Sequence, residues 1–329
     1  MLDMFRSSPF CTYLSLLFCI TFILISSSWE LQAQKDLYVN VSAEQAVFME
    51  LEDTVLVYQI ANRSLADGSY SRSNYIHPLY SLNGEIITED FPEDHYHQRG
   101  IFWAWHQLYI DSFRIGDGWE INDFEWEVTK VTDMEAGEVV AGISSEVLWK
   151  SDKWVDDLGK KLAFVKELTS VIVYPSESHH RVFDISISIL ALEENMSLGG
   201  SEDEKGYGGF SARIKLPDDI SFTYKGGQVE PQNTPLNAEG WMDFSGSLGK
   251  SEERSGFTII PHKDNSGYPN PWILRSKNSM QNAVFPYPGA QPIKISTSEP
   301  IVLKYRMVVH EGSLSPSDIE VISDDFQEK

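Results

Sequence analysis

Cysteine is nearly missing from this 329-residue chain, since its two cysteines, Cys11 and Cys19, both lie close to the amino terminus. No cysteine follows position 19. The main part of the chain therefore has no disulfide, no thiol nucleophile and no cysteine ligand for a metal. Its core must be held together by the burial of apolar surface.

Positive charge is scarce as well. The sequence has 26 Lys and Arg residues against 49 Asp and Glu residues, which gives a formal net charge of −23. Such a field repels phosphate backbones and anionic lipids, so we expect neither nucleic acid nor a membrane surface as a partner. The charge by itself does not indicate whether a carbohydrate or another small molecule is bound.

Only one long hydrophobic run is present. Arg6 precedes the apolar run Tyr13–Ile25, and a polar stretch follows with Leu31–Ala33 as a candidate cleavage site. This layout predicts a secretory signal peptide over residues 1–33 and an exported protein, either periplasmic or secreted. The run is shorter than the roughly 20 apolar residues of a membrane span, so we expect no stable membrane insertion after cleavage. An uncleaved anchor is the alternative.

Helical periodicity is rare after the leader, whereas alternation of apolar and polar residues is frequent. In segment 181–192, for example, every second residue from Phe183 to Ile189 is predicted to face a core. A helix is predicted only at the carboxyl end, where Ser315 is a candidate N-cap before Pro316. Nine segments have the strand pattern: "TVLVYQIA", "GISSEVLWK", "LAFVKELTSVIVYP", "RVFDISISILAL", "FSARIKLP", "ISFTYKG", "GFTIIPH", "PWILRS" and "IVLKYRMVVH".

These elements predict an all-β fold. We expect residues 34–329 to form a single domain, a large antiparallel β-sandwich with a short C-terminal helix. Two smaller fused sandwiches, with a seam near Glu193–Gly206, are the alternative.

The segment "EDHYHQRGIFWAWH", Glu93–His106, is the most unusual part of the chain. In an extended strand, His95, His97 and Arg99 project from one face. Imidazoles exchange protons near neutral pH, so two of them on one face can act as general acid and base. Arg99 would supply a fixed cation for a carboxylate or a developing oxyanion. The segment therefore predicts a catalytic face.

Gly100 decides what else joins this face. If the strand runs straight, Trp103 and Trp105 share it and one of them could stack on a sugar ring. If Gly100 sits at a β-bulge, the parity changes and His106 joins instead.

Two other interpretations of the histidines stay open. His95, His97 and His106 could hold a divalent metal, although the sequence itself requires no cofactor and does not identify a metal. Alternatively, the imidazoles satisfy backbone groups at a strand end while Arg99 pairs with a local acid.

Further candidates are spread along the chain, and for each of them ordinary packing is the alternative. His77, before a proline and a turn, is a fourth catalytic candidate beside His95, His97 and Arg99. Candidates for ligand binding lie in loops, near glycine or beside aromatic residues: Asp94, Trp103, His106, Lys205, Tyr207, Trp241, Asp243, His262, Asn270 and Trp272.

Five stretches together resemble a known family. "YIHPLYSLNGEIITEDFPEDHYHQRGIFWAWH", "KGYGGFSARI", "WMDFSG", "HKDNSGYPNPW" and "LKYRMVVHEG" resemble, in this order, motifs of the PmoA-like family of exported bacterial proteins, which are often labelled "methane oxygenase PmoA". The likeness covers nearly the whole chain after the leader. The family run Asp-His-Pro-His-His-Arg-Gly is altered here, with Tyr96 in place of the proline and Gln98 in place of the second adjacent histidine.

The resemblance implies a β-sandwich protein found in genomic settings of polysaccharide breakdown. Its motif layout is also similar to galactose-mutarotase-like supersandwich proteins, in which histidines and an acid act on sugar rings. We therefore expect an exported carbohydrate-active enzyme that uses histidine acid–base catalysis, as a mutarotase, epimerase, lyase or hydrolase. A histidine-ligated, metal-dependent oxygenase, as the family label suggests, and a non-catalytic carbohydrate-binding protein are the alternatives.

Overall fold

The computed structural model describes residues 37–134, 140–249 and 253–329. The predicted signal peptide lies outside the described residues. The described strands are β1 (Leu37–Val41), β2 (Gln45–Glu50), β3 (Asp53–Gln59), β4 (Tyr75–Leu79), β5 (Ile101–Trp105), β6 (Gln107–Ile110), β7 (Phe113–Gly116), β8 (Glu125–Met134), β9 (Ala141–Val155), β10 (Lys161–Val173), β11 (His180–Ala191), β12 (Met196–Gly199), β13 (Gly208–Ala212), β14 (Ser221–Tyr224), β15 (Gly227–Val229), β16 (Met242–Gly246), β17 (Ser255–Pro261), β18 (Trp272–Ile273), β19 (Gln281–Val284), β20 (Ile293–Lys294) and β21 (Ile301–Glu311). The helix α1 (Pro316–Gln327) follows the last strand.

The strands form three antiparallel sheets. The first sheet has the order β1-β2-β3-β4-β5-β13-β19-β18, and the second has the order β15-β14-β16-β17-β21-β11-β10-β9-β8. A small third sheet has the order β20-β12-β6-β7. The predicted all-β sandwich with a short C-terminal helix is therefore confirmed.

The local predictions that depended on periodicity are confirmed too. Residues of β11 alternate strictly between buried and partly buried positions, with Phe183, Ile185, Ile187 and Ile189 inside. The helix α1 begins with a capping box, in which the Ser315 hydroxyl accepts a hydrogen bond from the backbone N–H of Asp318.

Strands from both sides of Glu193–Gly206 share the same sheets. The long strand β11, which precedes this stretch, pairs along ten residues with β21, which follows it. In the first sheet, β5 pairs with β13 in the same way. The two sheets therefore do not separate at the seam of the alternative interpretation.

The core between the two large sheets contains tryptophans arranged around a buried acid. Glu167 of β10 is fully buried, and its carboxylate accepts hydrogen bonds from the indoles of Trp103 at 2.8 Å and Trp149 at 2.7 Å. Asn74 donates to the same carboxylate at 2.7 Å. Because each of these donors comes from a different strand or loop, the acid ties the two sheets together.

The third sheet brings three connecting segments to one end of the sandwich. His106 lies between β5 and β6, and β6 pairs with both β7 and β12. Segment 117–124 therefore leaves β7, and segment 200–207 leaves β12, on the same side as His106. These segments carry His106, Asp117 and Glu120 of the candidate site.

Candidate active site

Segment 89–100 contains the histidines, and it forms turns rather than the predicted strand. The backbone N–H of His95 donates to the carbonyl of Pro92, and that of Gln98 donates to the carbonyl of His95, both at 3.0 Å. Strand β5 begins only at Ile101. The predicted common face of histidines and arginine is therefore wrong, because these turns replace the period of two by tight reversals.

Gly100 ends this segment with a backbone conformation that few other residues could adopt. Its φ is +53°, and a Cβ atom at this position would lie 2.0 Å from the carbonyl oxygen of Ile76. The chain thus turns sharply into β5, so neither the straight strand nor the β-bulge that we considered is formed.

Arg99 serves the interior of the protein. Its side chain is fully buried and pairs with Asp90, and it also donates to the hydroxyl of Tyr75 at 2.6 Å. A third donor group reaches the carbonyl of Tyr70 at 3.1 Å. The predicted catalytic role of Arg99 is corrected accordingly, because a guanidinium occupied on all sides by internal acceptors cannot contact a ligand.

His77 lies in a different environment from the other candidate histidines. It belongs to β4, and its Nδ1 atom is 2.9 Å from the hydroxyl of Thr88. Burial lowers the pKa of His77 to about 4, and the charges that act on it are those of Asp90, Arg63, Arg99 and Lys215. His77 therefore has a neutral imidazole at pH 7, and its ring is hydrogen-bonded to Thr88 and not to another of the predicted catalytic residues.

His95 is held by Asp94, which is held in turn by Arg213. The Nδ1 atom of His95 lies 2.8 Å from Oδ2 of Asp94, and Arg213 donates to both oxygens of Asp94 at 2.8 and 2.9 Å. Burial opposes the charged form of Asp94, but the hydrogen bonds from Arg213 and His95 outweigh it and lower the pKa of Asp94. Asp94, predicted to bind substrate, thus orients an imidazole.

The same arginine fixes the rest of the segment. Arg213 is 3% exposed, and its remaining donors reach Glu89 at 2.7 Å and Gln98 at 2.8 Å. The backbone N–H of Arg213 also donates to the carbonyl of Gly100 at 2.7 Å. One residue beyond β13 therefore anchors both ends of the histidine segment.

His97 faces Glu120 from the next segment. Its Nδ1 atom lies 3.4 Å from Oε2 of Glu120, and neither ring nitrogen forms a hydrogen bond with another described residue. Burial lowers the pKa of His97 to about 3, and the electrostatic effects of His95, Arg72 and His106 act in the same direction. Burial raises the pKa of Glu120. The pair is therefore a neutral imidazole beside a carboxyl group that binds a proton more readily than usual.

His106 faces a third carboxylate, that of Asp117, at 3.0 Å between Nδ1 and Oδ2. The other oxygen of Asp117 accepts the backbone N–H groups of Trp119 and Glu120 at 3.0 and 2.9 Å. Asp117 thereby shapes the turn that carries Glu120. The imidazole of His106 stacks on Trp119, with ring centres 5.3 Å apart, and Trp119 stacks on Tyr207 at 5.6 Å.

Three imidazole–carboxylate pairs thus lie at one end of the sandwich. The rings of His95 and His97 meet edge to face with their centres 5.6 Å apart, and His106 is close enough to influence both His97 and Glu120 electrostatically. His95 is the most open of the three, with 43% of its side chain exposed, against 9% for His97 and 15% for His106. We refer to these three pairs as the histidine cluster.

Comparison of the sequence with known protein families shows the family to which the chain belongs. Residues 47–324 match the model of a family of unknown function, DUF6807. The chain belongs to DUF6807. No curated protein matches it. The matched range contains every residue of the histidine cluster. The match is to DUF6807, and the comparison does not identify a PmoA-like family.

An open cleft of about 600 Å³ borders the histidine cluster. Glu120 lines the cleft and also touches His97. Tyr70 lines it as well, and its ring packs against that of Tyr96 at 5.5 Å. The cleft and the cluster therefore share Glu120 and meet along the turn that carries Tyr96.

Several residues predicted to bind a ligand instead belong to the interior. Trp103 donates to Glu167, and Asp243 accepts hydrogen bonds from His310 at 2.9 Å and Thr258 at 2.7 Å. Their burial takes these side chains out of reach of a ligand, which corrects their predicted role. The affected residues, all at most 3% exposed, are Trp103, Trp241, Asp243, His262, Asn270 and Trp272.

Lys205 and Tyr207 lie at the margin of the histidine cluster. Tyr207 stacks on Trp119, and its hydroxyl accepts a hydrogen bond from Arg275 at 2.6 Å. The ammonium group of Lys205 is partly exposed, 3.2 Å from Asp203, and lies 5.6 Å from the centre of the Tyr207 ring. These two residues support the aromatic stack.

The sequence interpretation missed Glu120, Asp117, Trp119 and Arg213. The first three lie in "IGDGWE", a stretch to which we assigned no functional role, although an acid beside a tryptophan near two glycines could have marked it. Arg213 lies in "KGYGGFSARI", a stretch that carried the family resemblance without any role for the arginine.

The predicted metal triple does not form a ligand set. Within residues 37–134, 140–249 and 253–329, no three His, Cys, Asp or Glu side chains are arranged to hold a metal ion. In particular, the Nδ1 atoms of His95, His97 and His106 each face a separate carboxylate. No helix of these same residues has the length and hydropathy needed to cross a bilayer.

Proposed function

We propose that this DUF6807 protein is an exported enzyme that acts on a sugar or a polysaccharide fragment through histidine-based acid–base catalysis. Mutarotation, epimerisation, elimination and hydrolysis are the reaction types that such proton transfers serve. The observation that carries the proposal is the contact between His95 and His97, each with its own carboxylate, beside an open cleft. The likeness to PmoA-like proteins supports the carbohydrate substrate.

His95 is the group best suited to exchange a proton with the ligand. When its Nδ1–H donates to Asp94, the lone pair of Nε2 is free, and the exposed ring can present it to a substrate hydroxyl. The Arg213–Asp94 pair keeps the imidazole in this tautomer and orientation. A general base needs such a fixed position before it needs a particular pKa.

Glu120 is the second proton carrier of the proposed mechanism. Its raised pKa makes its protonated form more accessible near neutral pH than that of an ordinary carboxyl group. Its side chain is 41% exposed and lines the cleft, so it can reach a ligand oxygen. His97 contacts both His95 and Glu120, and its low pKa suits a neutral imidazole that holds a ligand oxygen by a hydrogen bond.

The cleft has the size and surface that a saccharide needs. Its volume of about 600 Å³ lies within the range of small-molecule sites. The aromatic ring of Tyr70 offers an apolar face, and hydroxyl, amide and carboxylate groups surround it. A sugar presents the complementary combination of an apolar ring face and many hydroxyl groups.

The test is a turnover screen of the full chain with mono- and oligosaccharides, in which NMR follows anomer exchange and product formation. On any substrate that the wild type converts, His95→Ala and Glu120→Gln should each lower kcat by about a hundredfold or more. His179→Ala is the matched control, because this histidine is 74% exposed and lies far along the chain in another turn. It should leave turnover unchanged.

Two results would overturn the proposal. Unchanged turnover in both site variants would remove the histidine cluster from the mechanism. Saturable binding of a glycan without any product after long incubation would indicate a carbohydrate-binding protein instead.

A further inference from the structure

We infer that the cleft beside Glu120 is a saccharide subsite that accepts neutral sugars and rejects acidic ones such as uronates. This inference rests on the proposed function and names the substrate class of the same site. It is carried by the position of the cleft, the chemistry of its lining and the distribution of charge within it.

The position of the cleft ties it to the histidine cluster. Glu120 lines the cleft while its Oε2 lies 3.4 Å from Nδ1 of His97. His97 itself is buried and does not line the cleft, and neither of its ring nitrogens has a hydrogen-bond partner among the described residues. A ligand in the cleft can therefore contact the carboxyl group of Glu120, which connects the cleft to the imidazole of His97.

The lining suits a polyhydroxylated ligand. Tyr70 supplies a half-buried ring that is fixed by Tyr96, and short polar groups surround it. Amide groups can donate to sugar oxygens, while carboxylates accept from sugar hydroxyls. The polar residues that line the cleft include Asn62, Ser69, Ser71 and Asn122.

The charges in the cleft oppose an anionic ligand. Lys161 is the one cation among the described lining residues, and its Nζ lies 2.7 Å from Glu125 and 3.0 Å from Asp152. The hydrogen bond that Lys161 donates to Glu125 raises the pKa of Lys161 against the effect of burial. Asp123 and Glu120 add further negative charge to the lining. A sugar carboxylate would meet repulsion and no uncommitted cation, so the selection works by exclusion.

The backbone of the lining is held in an unusual shape. Tyr70, Ile121 and Asp123 have left-handed conformations, with φ values of 52°, 60° and 51°. This conformation is especially unfavourable for a β-branched residue such as Ile121. Three such residues around one cleft indicate that the surrounding structure enforces its form, as is typical of ligand clamps.

The experiment is titration calorimetry of the full chain with neutral tetrasaccharides (β-1,4-glucan, β-1,4-mannan, β-1,4-xylan and α-1,4-glucan) and with tetragalacturonate. We expect saturable binding of at least one neutral tetrasaccharide and at least tenfold weaker binding of the uronate. Equal or tighter binding of the uronate, or no binding of any neutral tetrasaccharide, would overturn the inference.

Variants of Tyr70 locate the bound sugar. Tyr70→Ala should weaken binding by about five- to tenfold through the loss of ring stacking, and Tyr70→Phe should restore most of the affinity. Tyr38→Ala is the matched control, since this tyrosine is 40% exposed on the edge strand β1 and does not line the cleft. Unchanged affinity in Tyr70→Ala would place the sugar elsewhere.

The two proposals fail in different ways. Binding that depends on Tyr70 without any turnover would remove the proposed catalysis and leave the subsite. Turnover of a neutral sugar with an unchanged KM in Tyr70→Ala would remove the subsite and leave the catalysis.

Discussion

Arg213 donates hydrogen bonds to both carboxylate oxygens of Asp94, at 2.8 and 2.9 Å, and Oδ2 of Asp94 lies 2.8 Å from Nδ1 of His95. The arginine comes from the end of one strand, while the acid and the histidine lie in a turn more than a hundred residues earlier. A planar guanidinium that binds a carboxylate through two parallel hydrogen bonds fixes its orientation as well as its position. The orientation of the His95 imidazole is therefore fixed by an arginine that directly follows a strand of the first sheet.

Replacement of Arg213 by lysine keeps the positive charge but should leave the orientation of the His95 imidazole less well fixed. In Arg213→Lys we expect kcat to fall about tenfold or more, because an ammonium group cannot form the paired hydrogen bonds to Asp94. NMR of the histidine rings should show conformational exchange and an altered chemical shift for His95. Arg254→Lys, at an arginine that is 39% exposed, serves as the control and should change neither property. An unaltered His95 resonance in Arg213→Lys would refute the positioning role.

The buried imidazole of His97 should make the protein sensitive to mild acid. The folded protein binds a proton on His97 only near pH 3, whereas the unfolded chain binds it near the ordinary pKa of about 6.5. Between these values the unfolded state holds more protons. The free energy of unfolding should therefore fall as the pH is lowered through this window, by up to about 1.4 kcal/mol per pH unit from this residue.

Urea unfolding of the wild type and His97→Gln at pH 4.5, 5.5 and 6.5 measures this contribution. The variant should show a smaller loss of stability with falling pH. His179→Gln, at the exposed histidine, should keep the slope of the wild type. Identical slopes for the wild type and His97→Gln would contradict the neutral state of His97.

Trp103 should matter for stability and not for ligand affinity. Trp103→Phe removes the indole N–H that donates to the buried carboxylate of Glu167 at 2.8 Å. We expect a loss of about 1–3 kcal/mol in the free energy of unfolding, because the fully buried acid loses one of the hydrogen bonds that compensate for its burial, while those from Asn74 and Trp149 remain. Calorimetry should give the same sugar affinity as for the wild type, and a tenfold weaker affinity would show that this indole contacts the ligand after all.

Gly100 should tolerate no side chain. In Gly100→Ala the new methyl group would overlap the carbonyl oxygen of Ile76, so we expect a loss of several kcal/mol or a failure to fold. Gly84→Ala is a matched control, because Gly84 also has a positive φ of 76° but no atom lies within 4 Å of its would-be methyl group. It should cost only about 1 kcal/mol. Thermal unfolding of both variants checks the difference, and similar melting temperatures would contradict the close approach.

Turnover should survive treatment with a chelator. Since the Nδ1 atoms of His95, His97 and His106 each face a separate carboxylate, we expect EDTA dialysis to leave kcat within about twofold of its original value. Elemental analysis of tag-free protein accompanies the assay. Loss of activity that Zn²⁺ or Fe²⁺ restores would support the metalloenzyme instead.

Periodicity predicted much of the fold and little of the site. Strand β11 can be recognised in the sequence because nearly every residue on its buried face is apolar. Each of the nine predicted strands overlaps a strand of the structure. Segment 94–99 has no apolar face, and its turns depend on Arg99 pairing with Asp90 and on Arg213 reaching Asp94. Such partners are distant in sequence, so no local pattern reveals them.

The site residues in turns were hidden for a similar reason. Glu120 becomes part of the histidine cluster only because β7 folds back along β6 and so brings segment 117–124, which follows β7, beside the turn of His97. Conversely, Trp241 and Trp272 were attractive candidates by type, but side-chain type does not show which face of a short strand is covered.

The histidine segment leaves the first sheet and returns to it at neighbouring strands, where Ile76 of β4 pairs with Ile101 of β5. Its ends are thus fixed side by side, and Arg213 follows the strand next to β5 in the same sheet. The histidine segment and Arg213 thus form one structural unit that is attached to three neighbouring strands, β4, β5 and β13. To transfer the histidine segment to another β-sandwich, a designer would have to transfer the whole connection between the two strands, together with an arginine directly after the third strand beside them.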